Sequence, residues 1–287
     1  MRRAWIVAWV VLGAMGQAGA AWQPVPGVGE QRIDPPIPHE RGQNVVPIFE
    51  GWYRDGAGTL HLSWGYLNRN FEEELTIPAG PDNRLEPGPS DQGQPTRFVA
   101  RRQAGVFAVV VPKDLEAKLL AEKKTVSWTI RSRGVTTTIP AQLGPAYAID
   151  ALLQPTTRNT PPSVRFEPPA AAGPGQGPRG VRSAFKAVVS TPLPIDVWVA
   201  GAPNAGTPQG RGVTLTWTPY RGTAPVRIDP AKPKMDADGK ASVRATFSEP
   251  GEYVLRVEAL LGSNEFHCCW TNGYAQVSVS AAPTQGR

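Results

Sequence analysis

The sequence has few of the residues on which most catalytic and metal sites depend. Its 287 residues include two cysteines, three histidines and three methionines. A closed zinc or copper site needs a full set of nitrogen or sulfur ligands, and so few histidines and thiols hardly supply one. The sequence also lacks a G-x-S-x-G elbow, which disfavours acyl transfer by a serine nucleophile. We therefore expect no catalytic constellation and no cofactor.

Long apolar runs are scarce too, and the one at the N-terminus has the form of a secretory signal. Arg2 and Arg3 precede an apolar stretch over residues 4–15, and Ala18 and Ala20 fit the small-residue cleavage pattern. The stretch is shorter than a membrane span. We predict cleavage after Ala20, a periplasmic or extracellular location, and no membrane insertion once the signal is removed.

Charge of one sign is not concentrated anywhere along the chain. The formal net charge of +6 includes Arg2 and Arg3, and the other basic residues are scattered among acidic ones. Nucleic-acid-binding proteins gather lysine and arginine into a patch or stripe. We therefore expect no nucleic-acid partner. We expect the partner to be an envelope protein or a glycan.

The sequence is rich in turn residues and in short alternating runs, which predicts a β-protein. It contains 30 glycines and 31 prolines, and apolar residues alternate with polar ones between them, as in half-buried strands. Residues 78–95 have almost no large apolar residue and predict a long loop, and 114–124 predict one short helix. The predicted strands cover 58–67, 106–111, 125–132, 163–166, 195–200, 213–218, 242–247, 253–259 and 274–279.

The stretch over 236–257 resembles the late strands of bacterial immunoglobulin-like and PKD-like domains. It contains a tight DADG turn, a strand, a corner and a strand that opens with tyrosine. Glu249, Gly251 and Tyr253 occupy the corner positions, where such domains tie the tyrosine hydroxyl to nearby backbone. Leu255 stands where true immunoglobulin domains have a cysteine, which implies a core without the inter-sheet disulfide. The segments FEGWYRDGAGTLHLSWGYLNRN and CCWTN are similar to those of uncharacterised exported bacterial proteins. This resemblance implies no known activity.

The fold class that we predict is all-β, with two immunoglobulin-like β-sandwich domains in tandem after a signal peptide. A proline-rich stretch separates the two domains, because residues before proline are held extended and proline lacks a backbone donor. The predicted segments are 1–20, signal peptide; 21–44, extended or disordered arm; 45–153, first β-sandwich domain; 154–162, linker; 163–281, second, immunoglobulin-like domain; and 282–287, tail.

The two cysteines are neighbours, Cys268 and Cys269, and three interpretations stay open for them. A vicinal disulfide that braces the loop is favoured by an oxidising compartment, although neighbours in a trans-linked strand point to opposite faces. Two unreactive thiols are the second interpretation, and a metal, redox or intermolecular site is the third. His267 beside them invites the metal hypothesis, but we expect no metal, because the other two histidines, His39 and His61, lie far away in the sequence.

Tryptophans raise the possibility of a contact surface. Of the nine, Trp64, Trp128 and Trp217 lie on the apolar faces of their strands and are expected in the cores, and two others belong to the predicted signal peptide. Trp198 shares a face with Asp196 and is the best candidate for an exposed aromatic, and Trp270 lies beside the cysteine pair. We predict that His267, Trp270 and Trp198 are candidate interaction residues, because loops at the ends of sandwiches carry most recognition.

These observations predict a non-catalytic exported protein of the cell envelope with a binding or structural role and an unknown ligand. The alternative is an exported thiol or metal redox protein, or an enzyme, that uses the loop of His267, Cys268 and Cys269.

Overall fold

The computed structural model describes residues 39–167, 177–200, 212–262 and 268–282, and within these ranges the protein is all-β with one α-helix. The predicted all-β sandwich class is confirmed. The predicted signal peptide and residues 21–38 of the predicted arm lie outside the described ranges. Within those ranges, no helix has the length and the apolar character that crossing a membrane would require.

The N-terminal half consists of three small sheets around one core. The strand orders are β1-β2-β6, β3-β5 and β4-β7-β8. The first sheet supplies Trp64 and the third supplies Trp128, whose rings meet edge to face with centroids 6.0 Å apart. The elements are β1 (Val45–Arg54), β2 (Leu60–Asn68), β3 (Leu75–Thr76), β4 (Asn83–Glu86), β5 (Arg97–Phe98), β6 (Arg101–Val111), α1 (Lys113–Ala121), β7 (Ser127–Ser132) and β8 (Val135–Pro140).

Strand β2 is buried on both faces, which corrects the prediction that one face is solvated. His61 and Ser63 were expected on the polar side, yet only 2% and 0% of their surfaces are exposed. The reason is tertiary packing: the reverse face of this sheet carries a second cluster in which Tyr53 packs with Ile149 and Trp270. The alternation of apolar and polar residues correctly predicted the strand, but it could not show that distant residues also cover the second face.

The predicted loop over 78–95 is partly wrong, because it contains strand β4. The Leu85 side chain is fully buried in the core. The Asn83 amide is also buried and bonds to both sides of its loop: Nδ2 donates to the carbonyl oxygens of Ile77 and Pro95, and Oδ1 accepts from Trp128 Nε1 at 3.0 Å. A hydrogen-bonded amide therefore anchors this segment where apolar residues were lacking.

The helix was predicted over 114–124 and extends over Lys113–Ala121. Leu119 is buried, but Leu120 is 61% exposed. Successive helical residues are rotated by more than a quarter turn, so these two leucines point in different directions.

The C-terminal half is a sandwich of two four-stranded sheets, with strand orders β10-β16-β15-β12 and β13-β14-β11-β9. Strand β10 pairs in parallel with β16, and the other named pairs in these sheets are antiparallel. Alternating residues such as Ile195, Val243 and Leu255 fill the space between the sheets. The strands are β9 (Ser163–Arg165), β10 (Val181–Val188), β11 (Leu193–Ala200), β12 (Val213–Arg221), β13 (Val226–Asp229), β14 (Lys240–Phe247), β15 (Gly251–Leu261) and β16 (Trp270–Ser280).

The corner before β15 is closed by a side chain. The Tyr253 hydroxyl donates to the carbonyl oxygen of Glu249 at 3.0 Å, and Gly251 starts the strand with φ of +143°. The Tyr253 ring packs on Phe247, with centroids 4.9 Å apart. Leu255, two residues further along, is fully buried between the sheets. A tyrosine hydrogen bond and apolar packing therefore fix this part of the sandwich.

The end of the predicted arm is attached to the first half where the structure describes it. The Gly42 amide donates to Glu73 Oε2 at 2.8 Å, and the Gln43 amide donates to Asn70 Oδ1 at 2.7 Å. Side chains of the following turn therefore hold the backbone of residues 42 and 43, and the extended or disordered arm over 21–44 stays a prediction.

The two halves share their cores. Tyr220 and Tyr274 belong to the second half, yet both lie in the core cluster of the first. Residues from 38 onward form one compact unit. The domain boundaries at 45–153 and 163–281 stay a prediction.

Candidate functional site

The predicted cysteine loop is closed by a disulfide between Cys268 and Cys269. The peptide bond between them is cis, and their Cα atoms are 3.1 Å apart. Both residues are buried and cluster with Leu261. Cys269 Sγ also faces the carbonyl oxygen of Asn159 at 3.5 Å. The arrangement suits a structural clamp, because thiol–disulfide exchange requires access for an attacking thiolate.

His267 lies outside the described residues, so its side chain cannot be related to the disulfide. Among the residues that the structure describes, no group of three or more His, Cys, Asp or Glu side chains is placed to hold a metal ion.

Trp270 is not available at the surface, which corrects its prediction as an interaction residue. Its ring is 1% exposed, and Nε1 donates to the carbonyl oxygen of Gly105 at 2.9 Å. The strand that follows the cysteine pair packs directly on the first half, so the indole becomes part of the joint between the halves. Contact with a partner through Trp270 would require this joint to open.

Trp198 is half-buried on the outer face of β11. The Lys240 ammonium lies 5.2 Å from the centre of its ring, and Asp196 accepts hydrogen bonds from Ser242 Oγ at 2.6 Å and forms an ion pair with Lys240 at 2.8 Å. The ring is therefore engaged with a neighbouring cation, as exposed aromatic residues often are. It stays a candidate contact residue.

A cleft that the sequence did not predict, called the His61 cleft, lies at the surface of the protein. It has a volume of about 870 Å³ and lies between the first half and the start of β10. Strands β1 and β2 and the turn between them contribute Tyr53, Asp55 and His61, and the approach to β10 contributes Arg179 and Arg182. Residues 108–110 of β6, Gln92, Leu152, Gly180 and Val181 complete its lining.

At one end of the cleft, a carboxylate orients a buried imidazole. His61 Nε2–H donates to Asp55 Oδ2 at 2.9 Å, and the Tyr53 ring stacks on the imidazole with centroids 4.8 Å apart and planes inclined by 11°. Asp55 Oδ1 accepts from the backbone amides of Ala57 and Thr59. His61 Nδ1 is buried and has no hydrogen-bond partner in the part of the chain that the structure describes.

Two acid–base groups of the cleft are shifted from their ordinary behaviour. The hydrogen bond from His61, followed by that from the Thr59 amide, lowers the pKa of Asp55 to about 2. Burial raises the pKa of the Tyr53 hydroxyl, against the opposing effect of a hydrogen bond from the Arg179 backbone amide. Asp55 is thus ionised and Tyr53 neutral throughout the physiological pH range.

We expect Asp55 to make the stability of the protein depend on pH in the acid range. Its pKa is lower in the folded state than the ordinary value of 3.8, so its contribution is present above about pH 4 and is lost as the pH falls toward 2. The difference in unfolding free energy between wild type and Asp55→Asn should therefore shrink between pH 4 and pH 2. Urea unfolding at a series of pH values measures it, and a constant difference would contradict the Asp55–His61 bond.

The other end of the cleft is positive. Arg182 lies over the Tyr274 ring, with its guanidinium carbon 4.9 Å from the ring centre. Neither Arg179 nor Arg182 forms an ion pair with a carboxylate among the described residues. Asp55 is the acidic residue in the lining, and it is engaged with His61.

A serine near the dyad does not complete a nucleophilic triad. Ser63 follows His61 by two residues on β2 and therefore lies on the same face of the strand. However, it is fully buried, its Oγ has no hydrogen-bond partner in the described ranges, and it does not line the cleft. The geometry of a base that activates a serine, in which the two groups are hydrogen-bonded, is not present here.

Part of this cleft could have been found from the sequence. Asp55 and His61 flank a Gly-rich hairpin turn, and residues on the two sides of a hairpin lie close together. The arginines carry no such signal, because only tertiary packing brings residues 179–182 against β1 and β2.

No family model matches the chain, and no curated protein matches it. Among solved structures, it is similar to domains 4 and 5 of the S-layer protein SbsC, with 14% identity over 83% of this chain and 98% of that one and a TM-score of 0.23. It is similar to the D00-D0 domain of intimin, with 10% identity over 83% of this chain and 100% of that one and a TM-score of 0.27. The Escherichia coli adhesin FdeC is similar with 13% identity over 84% of this chain and 65% of that one, at a TM-score of 0.24. At TM-scores this low, the similarities carry no argument about function, and the protein's own sheets define it as an all-β sandwich protein.

Proposed function

We propose that the protein is a non-catalytic, exported component of the cell envelope with a binding or structural role. The observation that carries the proposal is the joint between its two halves, which is buried, polar and fully hydrogen-bonded at its centre. Domains joined by a small polar interface move relative to one another by default, and a well-packed joint prevents this motion. A rigid double sandwich is the form expected of a scaffold or of a binding platform.

The centre of the joint is formed by strand β16. Asn272 Nδ2 donates to the carbonyl oxygens of Gly105 and Pro178 at 2.9 and 2.8 Å, and the Tyr274 hydroxyl donates to the carbonyl oxygen of Val106 at 2.8 Å. Buried polar groups that all find partners specify one arrangement of the parts they join. These contacts support a fixed orientation of the two halves.

A second set of contacts joins the halves at β12. Arg221 forms a two-pronged ion pair with Asp91, at 2.9 and 2.7 Å, and also donates to the carbonyl oxygen of Gln94. Bidentate arginine–carboxylate pairs hold geometry better than single contacts do. The Arg221 side chain also lowers the pKa of Asp91 by its hydrogen bonds. The joint is therefore fastened at two separate places.

The proposal is tested by locating the protein and by its binding to envelope polymers. We expect cell fractionation to recover the chain, shortened at its N-terminus, outside the cytoplasm, and we expect the purified chain to co-sediment saturably with isolated peptidoglycan sacculi or envelope polysaccharide. Gly105→Ala, which forces the joint apart, should reduce that binding, and Gly134→Ala, in an exposed turn, should not. Recovery of a full-length chain from the cytosol, or turnover of a polymer by the purified chain, would overturn the proposal.

A further inference from the structure

We propose that strand β8 pairs edge to edge with β8 of a second copy of this chain, so that two three-stranded β4-β7-β8 sheets become one continuous sheet. The surface concerned is the outer backbone edge of Val135–Pro140, called the β8 edge. Three features of this edge support the pairing: it is uncovered, it is uncharged, and it is complementary to itself. Self-association at the β8 edge goes beyond the proposed envelope role and does not depend on it.

The backbone groups of Thr136 and Thr138 point away from the sheet. The Arg131 amide donates to the carbonyl oxygen of Asp82, on the β4 side of β7 and away from β8. Hydrogen-bonded and non-hydrogen-bonded pairs alternate along an antiparallel ladder, so Thr136 opposite Arg131 and Thr138 opposite Thr129 are non-hydrogen-bonded pairs. Among the described residues, no group bonds to the amides and carbonyls of Thr136 and Thr138. Two donors and two acceptors therefore face outward from β8.

The other edges in the first half are covered by neighbouring groups. At the far side of the same sheet, Gln94 Nε2 donates to the carbonyl oxygen of Asn83 in β4 at 3.0 Å. At β1, the Ile149 amide donates to the carbonyl oxygen of Trp52 at 2.9 Å. Strand β6 is covered by β16 at the joint between the halves. The contrast with β8 is within one half of the molecule.

Edge strands of the second half are covered, charged or short. The Trp217 amide of β12 donates to the carbonyl oxygen of Ala231 at 2.8 Å. Strand β10 carries Arg182 and Lys186, which are exposed. Strands β13 and β9 have four and three residues. Natural proteins prevent pairing at sheet edges by covering them, by shortening them and by placing charges on them.

Strand β8 has none of these protections among the described residues. Its sequence, VTTTIP, contains no charged residue, and proline stands only at its last position. Its register with β7 runs over six pairs without a bulge. Val135, at the start of the strand, is 46% exposed. A regular, uncharged edge with free backbone groups is a template for another strand.

The β8 edge is complementary to a second copy of itself. In antiparallel pairing about a two-fold axis at Thr137, Thr136 of each copy lies opposite Thr138 of the other, and Val135 lies opposite Ile139. Each threonine pair exchanges two backbone hydrogen bonds, and β-branched cross-strand neighbours stabilise the sheet. No like charges meet. One closed contact then covers both free edges, as is usual for two-fold homodimers.

The contact is small, so we expect a weak dimer. Stable interfaces bury roughly 1,200–2,000 Å², more than one pair of six-residue strands supplies. Sedimentation equilibrium of the purified full chain should therefore show a monomer–dimer equilibrium with a dissociation constant on the order of 100 µM. A chain that stays monomeric up to about 1 mM would overturn the proposal.

A lysine at the edge should prevent pairing. Thr136 is exposed, and Thr136→Lys places one positive charge on each β8 edge, so we expect dimerisation to weaken at least about tenfold. Ala184→Lys is the matched control, because Ala184 is also exposed on an edge strand, β10. Thermal unfolding shows whether both variants keep the fold. An unchanged dimer in Thr136→Lys, or equal weakening in both variants, would mean that another surface forms the dimer and would overturn the proposal.

A cysteine at the two-fold axis tests the register. Thr137 would lie opposite its own copy in a non-hydrogen-bonded pair, where Cα atoms are about 4.5 Å apart, within the disulfide range. Thr137→Cys should therefore form a covalent dimer under mild oxidation, measured on a non-reducing gel. Thr136→Cys is the control, because it faces Thr138 of the second copy and should cross-link little. Cys268 and Cys269 are bonded to each other, so they supply no free thiol. No covalent dimer of Thr137→Cys, or equal cross-linking of both variants, would contradict the pairing.

Discussion

Replacing Gly105 with alanine is expected to lower the free energy of unfolding by about 3 kcal/mol. Gly105 adopts φ of +54°, which disfavours any side chain, and a Cβ atom there would overlap the indole ring of Trp270. The ring cannot withdraw, because it is buried and Nε1 is bonded to the carbonyl oxygen of Gly105 itself. The substitution must therefore separate β16 from β6.

The matched control is Gly134→Ala. Gly134 has φ of +75° in the turn between β7 and β8, and a Cβ atom there meets nothing within 4 Å. Alanine at this position therefore adds backbone strain without a steric clash, and we expect the free energy of unfolding to fall by about 1 kcal/mol. Urea unfolding followed by tryptophan fluorescence measures both variants. Equal losses would mean that the Trp270 contact does not hold the halves together.

Asn272→Ala is expected to lower the free energy of unfolding by about 4 kcal/mol, because several buried groups lose their partners at once. The Asn272 amide donates to Gly105 and Pro178, and its oxygen accepts from Arg256 Nε at 2.9 Å. Arg256 is itself buried, and among the described residues it would keep its bonds to Glu258 and to the backbone oxygen of Ala104. An unsatisfied buried guanidinium nitrogen is costly because its desolvation is not compensated.

The same substitution at Asn44 is the control. Asn44 Oδ1 accepts one hydrogen bond from Arg69, at 3.0 Å. Asn44→Ala removes that one contact and is expected to cost about 1 kcal/mol. Thermal and urea unfolding should rank the two variants in this order. An Asn272→Ala variant as stable as Asn44→Ala would show that the amide network at the joint contributes little.

The sequence predicted six of the eight strands of the second half, because alternation marks a strand that has one buried face, but it missed β10 and β13. In β14, for example, Val243, Ala245 and Phe247 are buried while the residues between them are more exposed. The same reasoning failed at β2, where the second face is covered by Trp270 and Ile149, residues distant in the sequence. Alternation of apolar and polar residues indicates one buried face of a strand. When the other face is buried as well, the alternation does not show it.

The candidate site was harder to predict than the fold. The adjacent cysteines are visible in any reading of the sequence, but they form a buried disulfide, which favours the clamp over the thiol or metal redox alternative. The His61 cleft also includes two arginines, which the pairing of β10 with β16 brings into its lining. Sequence spacing could have suggested the Asp55–His61 bond but not the positive end of the cleft.

Strand β16 follows all the other described strands in the chain, yet it lies inside its sheet, between β10 and β15, and contributes Tyr274 to the core of the first half. During synthesis, therefore, neither half can acquire its complete set of contacts before residues 270–280 have emerged from the ribosome. A nascent chain interrupted upstream of β16 would leave the apolar side of β15 and the backbone carbonyls of Gly105 and Val106 without partners. Completion of both halves therefore depends on one late segment of the chain.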